Sequence, residues 1–163
     1  MDLTICSMVR IDKQALLRAI LDALREQFVR LCGAAEQSRA GATDGENRAE
    51  GKYDTRSIEA NYLADGQNRQ AEKISLASAA MQLLPLRPFG PGEAAGLGAL
   101  VEVQMRAEKM WFFLAPAAGG LEITLEGNVI TLITPDAPLG RQLMGARSGA
   151  RTKNPGSTVL QIA

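Results

Sequence analysis

Residues 17–35, LRAILDALREQFVRLCGAA, carry Leu17, Leu21, Leu24, Phe28, Leu31 and Ala35 at successive steps of 4-3-4-3-4. An apolar residue recurring in that rhythm draws one seam along an α-helix, the a/d pattern of a coiled coil. Asp12 stands where a cap would begin this helix, and its negative charge suits that end. The pattern fades in Gly33–Gly45, where Gly, Ala, Ser and Asn dominate. It resumes from about Asp54 to Leu84, with Ile58, Tyr62, Ala71, Ile74, Ala77, Met81 and Leu84 again mixing steps of three and four. Gly66 and the polar run Gln67–Gln70 interrupt the middle of that second stretch.

Two helices of about 30 residues, each roughly 45 Å long at ~1.5 Å per residue, joined by a polar loop, predict an antiparallel hairpin. An apolar stripe must find a partner, and the nearest one is the other helix. The same seam would also serve a dimeric coiled coil.

Working outward, the pattern changes at Leu84–Pro85. All 7 prolines lie from Pro85 onward, and proline interrupts interior helix and ladder hydrogen bonding. Two domains are therefore predicted, 1–84 and 85–163. The second switches to period two. Leu100–Met105, Met110–Leu114, Leu121–Leu125, Val129–Ile133 and Thr158–Ile162 are short β-type runs, separated by the turn sequences Pro116–Gly120, Gly127–Asn128 and Asn154–Gly156. Leu139–Met144 suits one or two helical turns. The predicted class is α+β: a coiled-coil hairpin, then a small antiparallel β domain with one short helix.

Composition narrows the chemistry. The 163 residues include 18 basic and 18 acidic side chains, with 46% hydrophobic, 22% charged and 4% aromatic residues. A formal charge of zero argues against a protein that grips nucleic acid by phosphate neutralisation. There is no histidine, which excludes Ser-His-Asp and Cys-His triads and His-containing zinc sites. Two cysteines, Cys6 and Cys32, have no metal-ligand spacing and make no disulfide framework, so a reducing cytoplasm is expected. Met1–Arg10 lacks the apolar run of a signal peptide, and no stretch reaches the ~18 apolar residues of a membrane span. A stand-alone enzyme ranks last, because no phosphate loop and no paired Cys accompany the missing histidine.

One segment carries a family likeness. Thr134-Pro135-Asp136-Ala137-Pro138-Leu139-Gly140-Arg141-Gln142-Leu143-Met144-Gly145 resembles the Ser-Pro-x-x-Pro-Leu-Gly-x-x-Leu-x-Gly segment of the Gre family of transcript cleavage (transcription elongation) factors, with Val129–Ile133 in the place of their preceding strand. The order of hairpin and β domain is also similar. The resemblance implies an FKBP-like fold for the second domain. It implies docking of that domain on the rim of the RNA polymerase secondary channel, through Pro135, Pro138, Leu139, Gly140 and Arg141. Those prolines and glycines would equally serve to end a strand, start a short helix and stop it.

A second segment is the predicted hairpin tip, near 42–56. Gre factors place an Asp-x-x-Glu-Asn-x-Glu-Tyr type of sequence here, whose acids enter the polymerase active centre. This chain has Glu50-Gly51-Lys52-Tyr53-Asp54, preceded by Asp44 and Glu46. The acidic character is kept and the Asp-x-x-Glu spacing is not: Glu50 is followed three residues later by Tyr53 and four later by Asp54.

By resemblance, Glu50 and Asp54 are the candidate carboxylates for RNA cleavage, with Asp44 and Glu46 in reserve, and the Mg²⁺ involved belongs to the polymerase. No cofactor stably bound by this chain is expected. Such a protein would be no enzyme itself but a monomeric, cytoplasmic accessory factor of bacterial RNA polymerase, in indirect contact with the RNA 3′ end and not with membranes. Two alternatives stand beside it: a non-cleaving modulator with the same docking, and a coiled-coil interaction module unrelated to transcription. Arg141, Arg147, Arg151 and Lys153 form a modest basic cluster, read first as a solvated face and second as a docking surface. Arg87 and Arg106 stand apart from it in sequence.

Overall fold

The computed structural model describes residues 11–43, 55–153 and 155–163. The chain is an N-terminal helical hairpin followed by a mixed sheet domain with one short helix. Two long helices come first, α1 (Lys13–Thr43) and α2 (Thr55–Gln82). The sheet strands are β1 (Leu100–Met105), β2 (Glu108–Leu114), β3 (Glu122–Leu125), β4 (Asn128–Ile133), β5 (Arg151–Lys153) and β6 (Gly156–Ile162), with α3 (Pro138–Leu143) between β4 and β5. The described chain forms two compact units. One contains residues 11–19, Pro85–Ala115 and Gly119–Ala163; the other contains Ile20–Leu84 and Pro116–Ala118.

Asp12 starts α1 as expected: its Oδ1 accepts from the Gln14 N–H at 2.8 Å and its carbonyl from the Leu16 N–H at 2.9 Å. A cleft of about 320 Å³ is lined by Leu21, Asp22, Arg25 and Phe28 from α1 and by Ser75, Ser78 and Gln82 from α2. The early part of one helix thus lies beside the late part of the other, so the pair is antiparallel.

The seam is phased differently from the sequence prediction. On α1, Leu16, Ile20, Leu24 and Ala35 are buried, Leu17, Leu21 and Leu31 are only half-buried, and Phe28 is exposed. On α2, Ala64, Ala71, Ile74 and Met81 are buried, as is Leu84 just beyond it, whereas Ile58 and Tyr62 stand exposed. The half-buried Gln67 and Ser78 fill the positions between them, giving 64-67-71-74-78-81, an unbroken heptad row. Gly66 does not break α2, which runs through it.

The sheet order is β3-β4-β2-β1-β6-β5. Neighbours are antiparallel except β2 and β4, which pair in parallel with Trp111 opposite Ile130 and Leu114 opposite Ile133. The expected all-antiparallel sheet is therefore mixed. After β2 the chain passes one strand position, lays β3 at the edge, and returns through Glu126–Gly127 to fill the vacant place with β4. Strand alternation reveals which face a side chain takes, not which strand lies beside it, so this step is invisible to period-two reading. β5 carries only Arg-Thr-Lys, with no apolar alternation to announce it, and a short charged strand suits a sheet edge.

One face of the sheet packs on α3. Its core joins Phe89, Ala95, Ala99, Val101, Val103, Phe112, Leu114, Ile133, Leu139, Leu143 and Val159. On the other face Leu100, Trp111, Phe113, Ile130 and Leu132 are also buried.

Candidate functional site

The predicted tip acids Asp44, Glu46, Glu50 and Asp54 lie outside the described residues, as does Lys52. What the fold does show is their place in the chain: they belong to the connection between α1 and α2. Among the described residues no group of three Asp, Glu, Cys or His converges as a metal site, and no described helix is long and apolar enough to cross a membrane.

The proline- and glycine-rich segment is resolved residue by residue. Thr134 follows the end of β4, and its carbonyl accepts from the Ala137 N–H at 3.0 Å. Pro138 opens α3, where a missing N–H costs nothing. Leu139 and Leu143 then face the core, 9% and 0% exposed. Gly140 lies so close to the strand end that a Cβ there would sit 1.9 Å from the Thr134 carbonyl oxygen, so no other residue fits without moving the backbone. Gly145, at φ +78, turns the chain after the helix; its N–H donates to the Ala95 carbonyl at 2.8 Å, and the Ala95 N–H donates to Ala146 at 2.7 Å. Of the five predicted docking residues, Pro138 and Arg141 are exposed, Pro135 is half-buried, and Leu139 and Gly140 are buried. The buried pair hold the segment's shape, and the exposed pair stand at the surface.

A second constellation escaped the sequence reading. Lys13, in the first turn of α1, donates from Nζ to the Arg87 carbonyl at 2.7 Å. Its Nζ also lies 4.6 Å from the Phe89 ring centroid, and the Arg87 guanidinium lies 4.1 Å from it, so two cations share one aromatic ring. Arg87 pairs with Glu93 at 2.5 Å, and Glu93 also accepts from the Gly90 N–H at 2.9 Å. That N–H first, and Arg87 second, hold the Glu93 carboxyl below its usual range. Burial, aided by Arg87 and opposed by Glu93, lowers the Lys13 amine from 10.5 to about 8. The cluster borders a cleft of about 490 Å³ that also includes Ile11, Leu86, Pro88 and Ile162. Residues separated by some seventy positions meet here, and no local spacing could announce them.

The basic cluster is also redistributed. The Arg147 guanidinium donates to the Gly92 carbonyl, and the Lys153 N–H donates to Gln142 Oε1 at 2.8 Å. Arg151 instead faces a cleft shared with Arg106, which the linear sequence had set apart.

No protein-family model matches the chain, and no curated protein matches it. Among solved structures it is similar to GreA factor homolog 1 (Gfh1) of Thermus thermophilus, at 18% identity over 89% of this chain and 95% of that one, with a TM-score of 0.34. It is also similar to Thermus aquaticus Gfh1, at 21% identity over 91% and 94%, with a TM-score of 0.34. A further structure of the transcription factor Gfh1 gives 18% identity over 88% and 93%, with a TM-score of 0.35.

Proposed function

We propose that this chain is an accessory factor of bacterial RNA polymerase of the Gre type, which inserts its acidic hairpin tip into the secondary channel and stimulates cleavage of backtracked RNA. The observation that carries this reading is the Thr134–Gly145 segment. Its resemblance to the Gre segment lies in prolines and glycines at fixed offsets, and in this fold those offsets correspond to a helix start, a backbone contact that admits only glycine, and a left-handed stop.

A hairpin is a sensible delivery device for such chemistry. Helices of 31 and 28 residues extend roughly 42–46 Å, and only the connection between them need be chemical. Carboxylates of Glu50 and Asp54 would offer hard oxygen ligands and orient water at a metal that the polymerase itself holds. Pro138 and Arg141 would meet the channel rim, on a segment whose shape Leu139 and Gly140 fix.

The altered spacing at the tip, Glu50 followed by Tyr53 and Asp54, favours a second version: occupation of the channel that modulates the polymerase without promoting cleavage. One experiment separates them. A halted elongation complex with a backtracked 3′ end, given this protein and Mg²⁺, releases short 3′ fragments if the first version holds, and Glu50→Ala with Asp54→Ala abolishes them. Binding and slowed elongation without fragments supports the second version. Absence of polymerase binding overturns both and leaves the interaction module.

A further inference from the structure

On the sheet face opposite α3, a polar row crosses four strands: Lys109 of β2, Gln104 of β1, Thr158 of β6 and Arg151 of β5 are successive cross-strand neighbours. Arg106 follows two residues after Gln104, at the β1–β2 turn. A cleft of about 400 Å³ brings Arg106, Arg151, Gln104 and Thr158 together, with Gly156 of the β5–β6 hairpin.

Three features of the cleft point to an anion. Neither guanidinium is paired with a carboxylate among the described residues. Glu102, the acid on the same face of β1, is engaged by Lys109 at 3.9 Å. Arg106 also adopts φ +56, a left-handed conformation that glycine takes without penalty and arginine does not. The turn thus holds a long cation where a glycine would be cheaper, and strain retained beside a cleft is a pointer to use.

We propose that this cleft binds a phosphoryl dianion, as orthophosphate or as the terminal group of a small phosphorylated compound, between the guanidiniums of Arg106 and Arg151. Charge selects the ligand. One carboxylate or one backbone phosphodiester neutralises a single guanidinium, whereas a phosphoryl group near neutral pH carries close to two charges and three acceptor oxygens. The planar forks of two arginines match such oxygens in pairs, and the Thr158 hydroxyl and Gln104 amide add donors. None of the described residues lining the cleft is aromatic, so among them there is no stacking platform of the kind single-stranded nucleic acid uses. This site does not depend on the polymerase reading.

The test is a titration of the ¹⁵N-labelled full chain with orthophosphate, pyrophosphate and a nucleoside diphosphate in separate arms. The expected result is saturable amide shifts confined to residues 104–107 and 151–158. Arg151→Gln and Arg106→Gly should each weaken affinity by about tenfold or more, while Arg69→Gln on α2 leaves it unchanged. Arg106→Gly should meanwhile raise the melting temperature by a few degrees, because it releases the strained turn. A stronger response to pyrophosphate or the diphosphate than to orthophosphate identifies the phosphorylated compound as the source. Shifts spread over all basic residues, equal weakening by Arg69→Gln, or no phosphate binding alongside binding of an RNA oligomer or a poly-glutamate peptide would each overturn the proposal.

Discussion

Gly140 shows how much a single missing Cβ can decide. Its backbone rests against the Thr134 carbonyl, so Gly140→Ala forces an atom to within 1.9 Å of an oxygen that cannot rotate away. The variant should lose about 3 kcal/mol or more of stability, read by denaturant melts. A variant as stable as the parent would mean that α3 does not pack on the end of β4. Lys13 yields a pH prediction. Its folded pKa of about 8 lies below the ordinary 10.5, so between those values the unfolded chain binds more protons and stability rises with pH. Below about pH 8 the cost of the buried ammonium is fully present. Melting temperatures from pH 8 to 10.5 should climb more steeply for the parent than for Lys13→Met; superimposable profiles would contradict the burial of this amine. At this scale, the roles of Pro138, Gly140 and Gly145 were legible in the sequence as helix punctuation. The Lys13–Arg87–Phe89–Glu93 cluster was not, because its members are joined only by the fold.

At the level of elements, both long helices, five of the six strands and the short helix could be read from periodicity, while the seam phase could not. On α1, Leu16 and Leu17, like Ile20 and Leu21, are adjacent apolar residues, so two stripes one position apart compete and sequence alone cannot rank them. The wider sector they form is that of a helix with a broad apolar face rather than a strict seam. On α2 the buried row runs through Gln67 and Ser78, polar residues that disguise it, whereas the more apolar Ile58 and Tyr62 lie outside. Gly66 interrupts nothing, and a Cβ added there would meet no atom within 4 Å. Gly66→Ala should therefore stabilise the hairpin by about 0.5–1 kcal/mol, the usual helix preference for alanine. Thermal unfolding that shows a loss instead would mean the position is strained or occupied. β5 and the parallel β2–β4 pair escaped prediction for the reasons their composition and topology supply.

For the whole molecule, the proposed role is that of an accessory factor, in which long helices carry a few carboxylates to chemistry held elsewhere and a shaped, proline-started turn gives a partner something rigid to meet. That proposal is positional: the connection between α1 and α2 would reach the catalytic centre of the polymerase. An iron chelate attached at position 50 through Glu50→Cys, with Cys6 and Cys32 replaced by serine, would generate hydroxyl radicals wherever that position lies in a backtracked complex. The account predicts cuts in the RNA close to its 3′ end and in the polymerase segments that surround the catalytic metal. Cuts confined to the outer surface of the polymerase, or none above those from free chelate, would contradict it.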